Sequence, residues 1–188
     1  MRLAILFVIL FNECAFSLRA QDHVPDTLFW KSDYKLNKED FKGLPDTSNP
    51  YYKDKTAASA VEIAASGYWE KDLPNFKVDV MFIKSQSWYR DSIFYDNVLG
   101  HEQLHFDITE LFARKIKAKF AQLRDSNCSD IDVYTSMIEG LLDERSAYDE
   151  MYDKQTNHGV NYQEQKAWVE RVRNELMELQ QYSSDKEL

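Results

Sequence analysis

Several features that mark common kinds of protein are missing from this chain. Only two cysteines, Cys14 and Cys128, occur in 188 residues, and Cys14 lies in a stretch that reads as a removable leader. The remaining cysteine has no partner within the chain, so stability must come from a packed core rather than from disulfides. A basic excess is missing too: 23 Lys and Arg stand against 32 Asp and Glu, a formal charge of −9. The lack of a basic stripe to neutralise phosphates argues against nucleic acid and anionic membrane surfaces as partners. The apolar run Leu3–Phe11 is too short to span a bilayer comfortably. Repeats and low-complexity tracts are absent.

That apolar run follows Arg2 and precedes a plausible cut after Ala20, so residues 1–20 read as a secretory signal peptide. The expectation is an exported protein, periplasmic or extracellular, with no membrane insertion after cleavage. Leu18 suits the third position before the cut poorly, and Asn12 and Glu13 in front of Cys14 are not the small residues expected at a lipidation site. Losing Arg2, Arg19 and Glu13 removes two positive charges and one negative, and moves the formal charge from −9 to −10. Residues 21–182 then form one domain, rich enough in aromatic side chains (14%) to fill a single core. Residues 183–188 form a polar tail.

The first half of that domain patterns as strand. Ala58–Trp69 has small and β-branched residues, Phe76–Lys84 alternates Val78, Val80 and Phe82 with polar or outward positions, and residues 71–75 between them read as the turn of an antiparallel hairpin. Thr27–Tyr34 reads as a short strand, Asn37–Phe41 as a single turn, and Gly43–Lys55 as loop. From Asp91 onward the period becomes helical. Leu104, Ile108, Leu111, Phe112, Phe120 and Leu123 form one stripe, with Asp91 or Asp96 as its cap. A second helix carries Tyr134, Ile138, Leu141, Tyr148 and Tyr152, and ends near Asn157-His158-Gly159. A third carries Trp168, Val172, Leu176 and Leu179, and frays into the tail from Ser183. The predicted fold class is α+β: a small antiparallel sheet over residues 27–90, then three helices.

The first helix contains His101-Glu102-Gln103-Leu104-His105, an H-E-x-x-H sequence. Residues four apart on a helix lie about 40° apart around its axis, so both imidazoles leave one face and can share a metal ion. Glu102 stands beside them, where a carboxylate can take the proton of an attacking water. A third protein ligand must come from elsewhere. Asp107 falls about 160° from His105 and faces away. From His105 to the end of the first helix is about 28 Å, so a second helix returning antiparallel is level with the pair at about residues 149–158. Asp149, Asp153 and His158 are therefore the candidates, with Glu144 roughly a turn and a half too early.

The order Leu36-Asn37-Lys38-Glu39-Asp40-Phe41-Lys42-Gly43, Ser87-Trp88, His101-Glu102-Gln103-Leu104-His105-Phe106-Asp107 and Tyr152-Asp153-Lys154-Gln155-Thr156-Asn157-His158-Gly159 resembles a bacterial family of uncharacterised secreted proteins described as predicted zinc-dependent proteases. The resemblance runs from about Phe29 to Leu176. It implies a zincin-like domain that binds Zn2+, hydrolyses peptide bonds with Glu102 as general base, and holds an extended peptide at a sheet edge. Within the last block His158 is the preferred third ligand, since neutral imidazole is a common zinc ligand and Gly159 lets the chain turn there. Its alternative is a helix-capping role. Asp153 is the rival ligand, or the carboxylate that orients a ligating histidine. Tyr152 reads either as an oxyanion donor or as core. Trp88, Trp168 and Phe106 read as packing, and His23 as exposed. Peptide or protein substrate is thus the expected partner. Two other readings stand beside it: a non-catalytic exported module with a structural metal or none, and a zinc hydrolase for a non-peptide amide.

Overall fold

The computed structural model describes residues 26–185 apart from 46, 53–54 and 91–96. The expected leader, Cys14, His23 and both proposed helix caps, Asp91 and Asp96, lie outside the described residues. Among the described residues five strands precede three α-helices: β1 (Thr27–Phe29), β2 (Ala57–Ala58), β3 (Val61–Glu70), β4 (Leu73–Ile83), β5 (Trp88–Tyr89), α1 (Val98–Asp125), α2 (Ile131–Thr156) and α3 (Tyr162–Glu178). The architecture is α+β, with an antiparallel sheet ordered β1-β4-β3 and a separate antiparallel pair, β2-β5.

The hairpin turn is tighter than the sequence suggests. Lys71 and Asp72 both take left-handed backbone angles, with φ of 52° and 64°, as a two-residue turn matched to strand twist requires. Leu73, Pro74 and Asn75 therefore join β4 rather than the turn. Pro74 is tolerated because Glu70 and Leu73 close the hairpin and the next pair is Trp69 with Pro74. At that alternate position the missing N–H points away from β3, and β1 covers β4 only at Met81–Ile83.

One face of this sheet is apolar by alternation. Val61, Ile63 and Ala65 pair across with Phe82, Val80 and Val78, all six are buried, and α1 lies over them. The helix is buried on nearly every side because α2 and α3 cover what the sheet leaves. Phe106 meets Phe82 at 5.9 Å between ring centres, and Phe120 stacks on Phe76 at 4.3 Å. Asp107, facing away from the histidine pair, accepts hydrogen bonds from Trp30 Nε1 (2.8 Å) and Gln103 Nε2 (2.9 Å), and so fastens the amino-terminal segment to α1.

The described helix α1 starts at Val98, with Asn97 as a cap whose side chain makes no capping bond. Asp130 caps α2 by accepting from the amide of Asp132. The short connection returns α2 antiparallel along α1, so that Tyr134 meets Phe120, Tyr148 meets Phe112 and Asp149 reaches His105. The segment after α3 is tied down rather than frayed at its start. Arg114 and Glu110 form a buried ion pair at 2.7 Å. Arg114 also donates to Ser183 Oγ, and Ser184 donates to Glu110 from both its amide and its hydroxyl. No helix among the described residues is long and apolar enough to cross a membrane.

Candidate metal centre

The i, i+4 spacing does on α1 what helix geometry demands: His101 and His105 leave one face, and their Nε2 atoms lie 3.2 Å apart. α2 supplies Asp153, whose Oδ1 is 3.1 Å from His101 Nε2 and 3.1 Å from His105 Nε2. Each imidazole is held from behind through its other nitrogen. His105 Nδ1 is 3.0 Å from Asp149 Oδ1, and His101 Nδ1 is 3.4 Å from Gln165 Oε1 on α3. Assigning the proton of each ring to Nδ1, toward these oxygens, leaves both Nε2 lone pairs pointing toward Asp153. Three acceptor atoms then converge with no proton between them, an arrangement that requires a cation or an added proton.

The donor set fits a metal. Ligands at about 2.0–2.1 Å from a tetrahedral zinc lie roughly 3.3 Å from one another, close to the 3.1–3.2 Å separations here. Two imidazoles and one carboxylate also leave a fourth position open, as sites that handle a substrate do. His158 completes the neighbourhood from the rim. Its donor atom falls within 4.8 Å of those of His101 and Asp153, and its Nδ1 is 3.3 Å from Asp153 Oδ2. The ring is half-exposed, and Lys55 Nζ lies 2.8 and 3.0 Å from its two nitrogens. Asp153 thus meets the His101 and His105 pair with one oxygen and His158 with the other. Asp149 stands behind His105, whereas Glu144 is exposed on α2.

Electrostatics follow from this crowding. Burial on its own lowers the pKa of His105, but hydrogen bonds to Asp149 and Asp153 and their charges outweigh it and raise it to about 10. Burial likewise raises Asp153, and hydrogen bonds from His101 and His105 overcome that and hold it well below the usual carboxylate range. Without metal this electrostatic balance favours a proton on His105. A raised imidazole pKa contributes stability that is complete below the ordinary value of about 6.5 and is lost as pH rises through about 10. Thermal denaturation of the metal-free protein across that range is expected to show falling stability. A metal ion held there would compete with the same proton, so its affinity is expected to rise with pH, by up to about tenfold per unit. A flat profile in both titrations would remove the proton from this account.

Glu102 is buried beside the cluster, and Ser59 Oγ donates to its Oε2 at 2.6 Å. It opens on a cleft of about 540 Å3 that is also lined by Lys55, Arg145 and Val160. Tyr152, weighed as an oxyanion donor, is fully buried. Its ring stacks on His101 at 4.7 Å and its hydroxyl donates to Gln165 Oε1 at 2.8 Å, so it is core that braces the His101 ring. Ser59, Lys55, Arg145 and Gln165 were not singled out in the sequence. Gln165 carries no signal beyond its place in the first turn of the helix that follows the glycine.

The α2–α3 connection is shaped by the histidine it covers. Asn157, His158 and Gly159 take φ of 48°, 54° and 83° in succession, a run that L residues adopt at a cost. A Cβ on Gly159 would lie 3.0 Å from His101 Cβ and 3.1 Å from its Cγ. Gly159→Ala is therefore expected to lower stability by about 1–2 kcal/mol and to weaken any metal held at this site by displacing the His101 ring. Denaturant melts and zinc competition check this, and wild-type behaviour in both would show that the close approach is not needed.

A family model described as a bacterial protein of unknown function (DUF922) matches residues 77–159. That span runs from β4 to Gly159 and takes in His101, Glu102, His105, Asp149, Asp153 and His158, but not Lys55, Ser59 or Gln165. No curated protein and no solved structure matches the chain.

Proposed function

We propose that the chain is an exported zinc-dependent hydrolase of peptide bonds, with His101, His105 and Asp153 as the protein ligands and Glu102 as the general base. The observation that carries this reading is the convergence of both Nε2 atoms on Asp153 Oδ1, with both Nδ1 atoms engaged by acceptors, next to the buried Glu102. A site that only held structure together would have no use for a carboxylate at the edge of a cleft. When bound there, zinc supplies a Lewis acid that activates water and polarises a carbonyl.

The chain's own groups do the rest. Glu102 accepts the proton of the attacking water and returns it to the leaving amine. The Ser59 hydroxyl holds Glu102 Oε2, which leaves the second oxygen for that exchange. His158 and Lys55 stand at the rim beside Asp153, where they can donate to the developing oxyanion. Ala57 and Ala58 line the cleft. The bond from Arg90 N to Thr56 O and the pairing of Ala57 with Tyr89 turn the main-chain groups of Ala57 away from β5. An extended peptide adds to a strand edge in that way.

The test is digestion of a mixed peptide library by the mature protein with stoichiometric zinc. The reading expects cleavage that a chelator stops and added zinc restores. Tight zinc without cleavage of any peptide would favour a non-peptide amide substrate or a structural metal.

A further inference from the structure

Arg145 is a buried cation that the proposed chemistry leaves without a task. It sits one turn before Asp149 on α2, lines the same cleft, and has a side chain only 9% exposed. Among the described residues its ion pair is with Asp149, Nη2 to Oδ2 at 3.4 Å, and its Nε is buried with no hydrogen-bond partner. Burying a guanidinium so incompletely satisfied disfavours folding, and an apolar side chain of similar volume would pack there more favourably. Its charge therefore serves something other than stability.

Asp149 shows what that is. Its two oxygens are divided: Oδ1 faces His105 Nδ1 at 3.0 Å and Oδ2 faces Arg145. Asp149 is itself 21% exposed on its side chain, so without Arg145 it can turn toward water and leave the imidazole. His105 would then lose the acceptor that selects its Nδ1–H form and aims Nε2 at Asp153. Asp149 and Asp153 also face the same imidazole from its two nitrogens, and among the described residues Arg145 is the guanidinium paired with Asp149.

We infer that Arg145 is a positioning residue of the metal centre, acting through Asp149 on His105. The inference rests on the proposed function and names a part of the same site. The experiment is zinc competition against a chromogenic chelator at neutral pH, using the full mature chain and Arg145→Met, Arg145→Lys, Asp149→Asn and the Arg145→Met/Asp149→Asn double variant. Arg145→Met is expected to weaken zinc about tenfold, the lower end of the range for groups that orient a ligand. Arg145→Lys should recover part of that loss. The double variant should bind no more weakly than Asp149→Asn alone, since both changes break one chain of contacts.

A second readout is independent of affinity. In the zinc-loaded wild type, the His105 Nδ1–H signal in ring 15N–1H spectra should persist, and in Arg145→Met it should be lost to solvent exchange. Should the methionine variant fail to fold, Arg145→Gln and Arg145→Lys carry the same comparisons. Zinc affinity and ring spectrum unchanged while thermal stability alone falls, or losses that add in the double variant, would overturn the inference. A wild type that binds no zinc would instead end the functional reading on which it stands.

Discussion

Asp153→Ala is expected to reduce zinc affinity by well over 100-fold, and His158→Ala by about 10-fold. The ordering follows from contact geometry. Asp153 Oδ1 touches both Nε2 atoms, so on the proposed ligand set its removal takes away one of three ligands and leaves two imidazoles to hold the ion. His158 meets Asp153 through the other carboxylate oxygen, and losses at groups that orient a ligand are typically 10- to 100-fold. Isothermal titration with zinc separates the two variants directly. If His158→Ala is the more damaging, the histidine is the third ligand, as its chemistry suggested from the sequence, and Asp153 orients it.

Glu102→Gln is expected to keep zinc binding within about twofold while lowering hydrolysis by roughly 10²- to 10⁴-fold, the usual contribution of a positioned proton acceptor. The amide keeps the shape and can still meet the Ser59 hydroxyl, but it cannot take a proton from water. The loss should fall on kcat rather than KM, because the group acts in the transition state. Parallel zinc titration and steady-state cleavage of one library-derived peptide check both halves. A glutamine variant that cleaves at the wild-type rate would assign water activation to another group.

What could be read in the sequence was whatever depends on local period or on length. The H-E-x-x-H face and the alternation of Val78, Val80 and Phe82 are set within a turn or a strand. The antiparallel return of α2 follows from the short connection, and the length of α1 then brings Asp149 and Asp153 level with the histidine pair. The other parts depend on contacts between distant segments that no spacing encodes. Gln165 reaches His101 from α3, while Ser59 and Lys55 reach Glu102 and His158 from the strand side. Whether Asp153 or His158 lies nearer the pair turns on three successive left-handed residues, where only Gly159 gave a hint. The two-residue turn at Lys71-Asp72 was hidden for a related reason, since neither residue is the glycine or asparagine that usually marks one.

The central claim is that one zinc sits among His101, His105 and Asp153. The most direct measurement is an anomalous difference map collected at the zinc edge from crystals of the zinc-loaded protein. The account predicts one peak per chain, about 2 Å from both Nε2 atoms and from Asp153 Oδ1. A peak bound by His158 in place of Asp153, or no peak near the pair at saturating zinc, would contradict it.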